Sequence, residues 1–261
     1  MNQVKTPKPW ARGAIELLVI VAGVLIALAA DRWILAQEEA GLEREYLIRL
    51  ASDLRRDSTN QSQRAEQARA TYDRGERVLT AIREGSGSVE NPGRFLTEIP
   101  WIHFHQYRID YATETWDELG STGNLALIQG SEFRRLLGEY QGEIEFFDHL
   151  EASWLNARDQ WSQVTLAALP PEILVESQLQ FHLRFIEDNN IDRVPATGLD
   201  PVFDDGALAS ALARLANDAR SVPTLSEILM NSVSQVVIYE GLVQRSTELL
   251  RLVDTMIPDA P

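Results

Sequence analysis

The stretch ELLVIVAGVLIALAADRW, Glu16 to Trp33, decides how the rest of this chain is read. From Leu17 to Ala30 it holds fourteen residues without a charge, flanked by Glu16 and Asp31. A run of that length fits a secretory h-region, a buried core helix or a short membrane span. A signal peptide would use Lys5, Lys8 and Arg12 as its basic region and Ala27-Leu28-Ala29 as its cleavage site. Against that stand Trp10 and Trp33, which bracket the run 23 residues apart. The separation is about 34 Å along a helix, matching two interfacial aromatic belts around a hydrocarbon core about 30 Å thick. A core helix would show one polar face, whereas this run is apolar all round and follows a basic tail. The sequence therefore reads as an uncleaved anchor.

Charge asymmetry orients the anchor. Three basic residues and no acidic one precede Glu16, while Asp31, Glu38, Glu39, Glu43 and Glu45 follow the run against Arg32 and Arg44. By the positive-inside rule, residues 1–13 form a cytoplasmic tail, 14–35 the transmembrane helix, and 36–261 a periplasmic domain of a bacterial inner-membrane protein. Within the span Glu16, Gly23, Ala27 and Ala30 share one helical face, and Gly23-x-x-x-Ala27 is a small-xxx-small pair that admits a neighbouring helix. A carboxyl group at the edge of a span faces water, a basic head group or a partner. These four residues are the candidate contact surface, for a second copy or for another membrane subunit.

Composition narrows the function. No cysteine is present in the 261 residues, which removes disulfides, thiol catalysis and thiolate metal sites. The net charge of −15 repels phosphate backbones and anionic lipid heads. Neither nucleic-acid binding nor peripheral adhesion to a membrane surface is expected.

Beyond the anchor the pattern is helical throughout, and no period-2 strand is long enough for a sheet. The spacing of Leu42, Tyr46, Leu50, Leu54, Ala65, Ala68, Tyr72, Leu79 and Ile82 predicts a first long helix, and the sequence leaves open whether it and the span run on as one rod. Its polar middle, Asp57 to Gln63, predicts looser packing there. Gly85 to Gly93 reads as a loop. A second helix fits 131–168 with Ser131 as N-cap, and Phe133, Leu137, Tyr140, Ile144, Phe147, Trp154 and Trp161 as its seam. Its Gly138 and Gly142 either weaken it or let a neighbour approach. A third begins at Thr224, where Thr224-x-x-Glu227 has capping-box spacing after Pro223. Its seam is read as Leu225, Leu229, Val236, Val243, Leu250, Val253 and Ile257. Shorter helices are expected at 112–120, 172–188 and 206–220, with Asp204 and Asp205 as cap candidates, and 189–205 reads as loop. The fold class is all-α: one N-terminal transmembrane helix continuing into an elongated antiparallel helical bundle.

Chemistry is sparse. His103-x-His105, read as extended, would place two rings on one side as a start for a metal site. In the aromatic run WIHFHQYRIDY they serve equally as interface or surface rings. His149 beside Asp148 reads as a solvated pair, and nothing recruits His182. Haem ligation by His149 with Met230 has no supporting pattern. No G-x-S-x-G elbow occurs, and GSGS at Gly85–Ser88 lacks the strand and the lysine of a phosphate cradle. Glu143 and Glu145 read as a solvated face. No catalytic residue, metal or cofactor is expected, and the chain reads as a non-enzyme.

Two stretches carry a resemblance. ARGAIELLVIVAGVLIALAADRW with EREYLIRLASDLRRD resembles the opening of an uncharacterised family of bacterial single-pass membrane proteins, a domain of unknown function. YATETWDELGSTGNLALIQGSEFRRLLGEY, Tyr111 to Tyr140, is similar to that family's internal segment through Trp116, Glu118, Leu119, Ser121, Gly123, Asn124, Leu125, Leu127 and Ile128. Phe133 departs from the pattern, where an aliphatic residue is usual. The resemblance covers roughly the first 140 residues and implies an uncleaved anchor with a helical outer domain, but no activity. Physically, Ser121-Thr122-Gly123-Asn124 is a helix-terminating turn. Trp116, Ser121, Gly123 and Asn124 thus form either a structural corner or, through Asn124 and Trp116, a binding notch.

The function expected is a non-catalytic accessory or scaffold subunit, anchored in the bilayer by one helix. It would brace a larger inner-membrane complex, for example a photosynthetic reaction-centre and antenna or a respiratory assembly. A periplasmic sensor acting through a membrane partner, or a metal-dependent enzyme using His103 and His105, are the alternatives.

Overall fold

A computed structural model describes residues 9–104, 111–188 and 205–257. Among these every regular element is a helix, as the all-α expectation requires. Helix α1 runs unbroken from Pro9 to Glu84, 76 residues, or about 114 Å at 1.5 Å per residue. No proline interrupts it, and Ala, Leu, Arg, Glu and Gln dominate its second half. Span and first outer helix are therefore one rod. It ends at Gly85, whose φ of +89° lies where a side chain would be strained.

A 3₁₀ turn at Ser86–Ser88 leads to α2 (Pro92–Glu98) and α3 (Trp101–Phe104). Asn91 caps α2 by accepting the Arg94 N–H at 3.0 Å, with Pro92 in the first turn. The expected loop thus ends two residues early, and His103 is helical rather than extended. Then follow α4 (Glu114–Thr122), a 3₁₀ turn at Asn124–Leu127, and α5 (Ser131–Ala168). Helices α6 (Pro171–Asp188), α7 (Asp205–Asn217) and α8 (Ser221–Met256) complete the chain. Most of the loop expected at 189–205, and the cap candidate Asp204, lie outside the described residues.

Two expected helix starts are corrected. Helix α8 begins at Ser221, so Thr224 is buried within its first turn and no side chain caps it. Pro223 fits because the first-turn N–H groups have no intrahelical partner to lose. At α5 the capping position falls on Gly130, again without a side-chain cap, and Ser131 is already helical.

Helices α1 and α5 run outward and α8 returns between them. Gly75 meets Leu225 and Leu229, Arg69 pairs with Glu240, Glu143 with Arg245 at 2.8 Å, and Gly130 touches Met256. From Leu225 onward the buried positions of α8 are Leu225, Ile228, Ser232, Gln235, Tyr239, Leu242, Ser246, Leu249 and Val253. That is an alternating three–four repeat, the 3.5-residue period of coiled-coil packing. The expected seam through Leu229, Val236, Val243 and Leu250 flanks it instead.

Two apolar cores result. The proximal one, nearer the apolar segment of α1, packs Leu50, Leu54, Leu119, Phe133, Leu137 and Leu249; the distal one packs Val78, Leu96, Ile99, Trp161, Ile173 and Leu215. Trp161 is fully buried and its indole N–H donates to the Ile99 carbonyl at 3.2 Å. Between the cores lies a polar waist. Asp57 is 1% and Gln61 0% exposed, so the inward-facing residues of α1's polar middle are enclosed, against the looser packing expected there.

Candidate functional site

Three places gather the residues with functional potential. The first is the apolar part of α1, which is long and apolar enough to cross a membrane and has none of its apolar window buried. At about 100° per residue, Glu16, Gly23, Ala27 and Ala30 fall within an arc of about 60°. Gly23, Ala27 and Ala30 are exposed and nothing lies near Gly23. The side chain of Glu16 is outside the described residues. From Asp31 to Leu42 the helix has exposed side chains only, so a bare stalk joins the apolar segment to the bundle.

The second place is the corner after α4. Gly123 closes that helix at φ +75°, the left-handed conformation expected of it. The Ser121 and Thr122 hydroxyls both donate to the Glu118 carbonyl, at 3.1 and 2.7 Å. Asn124 Nδ2 donates to the Tyr46 hydroxyl, which donates to Glu118 Oε1, each at 2.9 Å. Arg49 bonds Glu118 Oε2 at 2.5 Å and its guanidinium lies 5.5 Å over the Tyr46 ring. The hydrogen bonds from Arg49 and then Tyr46 hold the Glu118 carboxyl below its ordinary range. Trp116 packs against the proximal core. The amide nitrogen of Asn124 is thus committed to Tyr46, and the arrangement ties α4 to α1.

The third place, the waist, was not visible as a site in the sequence. Asp57 accepts the Ala112 N–H at 2.9 Å and the Tyr140 hydroxyl at 3.3 Å. Burial pushes its carboxyl above the usual range, with these two bonds opposing. One turn further out Gln61 meets Tyr111, whose hydroxyl burial pushes up. Then come Arg64, Thr71, Arg158, Gln235 and Tyr239 around a cavity of about 10 Å³. Arg158 is 4% exposed, and burial brings its guanidinium down to about 10, with Tyr239 and Glu151 opposing and Arg64 adding to the shift. The signal that marks this site is polar residues at the buried positions of both partners, Gln61 and Thr71 on α1 with Gln235 on α8.

The histidines separate. His103 is largely enclosed, and burial followed by the charge of Arg158 lowers its imidazole to about 4, Asp159 opposing. His105 lies outside the described residues. Among the described residues no group of three metal-ligating side chains forms, and a cation at His103 would meet Arg158. His149 does not pair with Asp148; its Nδ1 lies 2.7 Å from the Glu145 carbonyl oxygen. Glu143 is an ion-pair partner of Arg245 rather than part of a free acidic face. The side chain of His182 is outside the described residues.

The resemblance of Tyr111–Tyr140 and of the apolar opening rests on those residues alone, since no protein-family model, no curated protein and no solved structure matches the chain.

Proposed function

We propose that this protein is a non-catalytic, membrane-anchored brace for a larger inner-membrane complex, with its N-terminus cytoplasmic and its bundle periplasmic. The observation that carries the proposal is the continuity of α1. One helix is both the exposed apolar segment and a principal element of the bundle, so a lateral contact in the membrane is relayed to the outer domain without a hinge. The face of Glu16, Gly23, Ala27 and Ala30 is where another helix would dock. Small residues allow close backbone approach, and packing rather than hydrophobicity drives association in lipid. Gentle solubilisation followed by native mass spectrometry tests this. A defined assembly, weakened by Gly23→Leu with Ala27→Leu, is expected; a bare monomer at every concentration ends the proposal.

Orientation has its own test. Replacing Lys5, Lys8 and Arg12 by Glu removes the whole basic bias ahead of the span. Reporter fusions at the C-terminus should then show mixed topology in place of a single periplasmic one. Unchanged topology would refute the assignment.

A further inference from the structure

The least explained feature of the fold is Arg158. A cation withdrawn from water is costly unless it is paired and fully hydrogen-bonded. Yet its one hydrogen bond among the described residues is a long one, 3.5 Å from Nη2 to Gln235 Oε1. Its Nη1 has no protein partner, and neither has the Oγ1 of Thr71, which is 0% exposed. Both residues line the same cavity, with Arg64 and Tyr239 across from them. Arg64 approaches the Tyr239 hydroxyl, and Glu151 is the one carboxylate whose charge acts on both Arg158 and Tyr239. Two guanidinium groups therefore line an internal hole that, among the described residues, no carboxylate lines.

We propose that this cavity holds a single monatomic anion of the chloride class, bound by Arg158 Nη1 and the Thr71 hydroxyl beside Arg64. Size and charge both select it. A cavity of about 10 Å³ takes one particle of roughly water size, which excludes phosphate, sulfate and carboxylate ligands. Arg158 Nη1 is a donor only, and the Thr71 and Tyr239 hydroxyls can each turn a hydrogen toward an anion. An anion also offsets the second guanidinium, which water does not. The site joins α1, α5 and α8 at a level where their buried contact is polar, so its occupant locks the two cores in register.

The test uses the full chain in detergent, unfolded thermally in sodium chloride or sodium gluconate at equal ionic strength. Chloride should raise the midpoint saturably, by roughly 5 °C at a hundredfold excess over Kd, and gluconate should not. Thr71→Val keeps the shape and removes one donor, so chloride affinity should fall about tenfold. Arg158→Met should abolish the chloride effect, and chloride-35 line broadening should vanish with it. Equal midpoints in both salts would mean that the cavity holds water, and would overturn the proposal. A chloride effect that survives Thr71→Val and Arg158→Met unchanged would place the anion elsewhere and overturn it equally. Because Thr71→Val removes a hydroxyl that has no protein partner, this arm stays readable if Arg158→Met fails to fold.

Discussion

Two residues on the inner edges of the waist make its energetics measurable. Asp57 ties the Ala112 backbone and the Tyr140 hydroxyl to α1. Asp57→Ala strands two buried donors and should cost about 2–4 kcal/mol in denaturant titrations. Asp57→Asn keeps an acceptor and sheds a buried charge, so it should cost less than half as much; equal losses would mean that the charge itself stabilises. His103 gives the pH dependence. Its folded-state value of about 4 lies below the ordinary 6.5. As pH falls from 6.5 toward 4 the unfolded chain takes up a proton that the folded chain refuses. Stability contributed by the neutral ring is therefore present above 6.5 and lost through that window. The stability difference between wild type and His103→Gln should drift by up to about 3 kcal/mol between pH 7 and pH 4, with wild type losing more. A constant difference would mean that the ring is solvated.

At the scale of elements, the sequence is most legible where packing is apolar. Phe133, Leu137, Tyr140 and Trp161 form the α5 seam as their spacing requires, and the three long helices lie where periodicity puts them. Legibility fails where polar residues occupy buried positions. In α8 the repeat passes through Ser232, Gln235 and Ser246, so counting apolar residues alone slides onto Leu229, Val236 and Val243. Ser232 and Ser246 hide their hydroxyls on the carbonyls of Ile228 and Val243, which makes burial tolerable without a partner helix. Helices α2 and α3 escaped notice because they are short, although Asn91-Pro92 is a start signal in plain view. The corner at Gly123 was legible, but its tie to Tyr46 and Arg49 spans more than 65 residues of chain, beyond any local pattern. The α5 glycines settle an open alternative: nothing lies within 4 Å of a Cβ at Gly138 or Gly142. They weaken the helix and admit no neighbour among the described residues. Gly138→Ala and Gly142→Ala should each stabilise by about 0.5–1 kcal/mol, read as a higher denaturant midpoint at unchanged slope.

For the whole molecule, the division between rod and bundle follows from where burial starts. Along α1 no side chain from Leu17 to Leu42 is buried, although Ala22 is half-covered, and the first fully enclosed residues are Tyr46 and Leu47. The base of the bundle closes around Leu47, Gly130 and Ile257, with Glu43 accepting the Gln129 N–H at 2.6 Å. Everything that the two cores bury therefore lies at or beyond Glu43. The stalk and apolar segment should contribute position, not stability. A fragment of residues 39–261 keeps Glu43, both cores and the waist, and among the described residues loses no buried side chain, only ones such as Trp33, Ile34 and Leu35 at 50–66% exposure. It should be soluble without detergent and helical by circular dichroism, with an unfolding free energy within about 0.5 kcal/mol of the detergent-solubilised full chain, the range of a surface change. It should also fail to partition into lipid vesicles that retain the full chain. A fragment that unfolds at markedly lower denaturant would mean that the stalk stabilises the bundle after all, through contact with a second chain. That result would shift the working surface of the proposed brace from the apolar segment to the stalk.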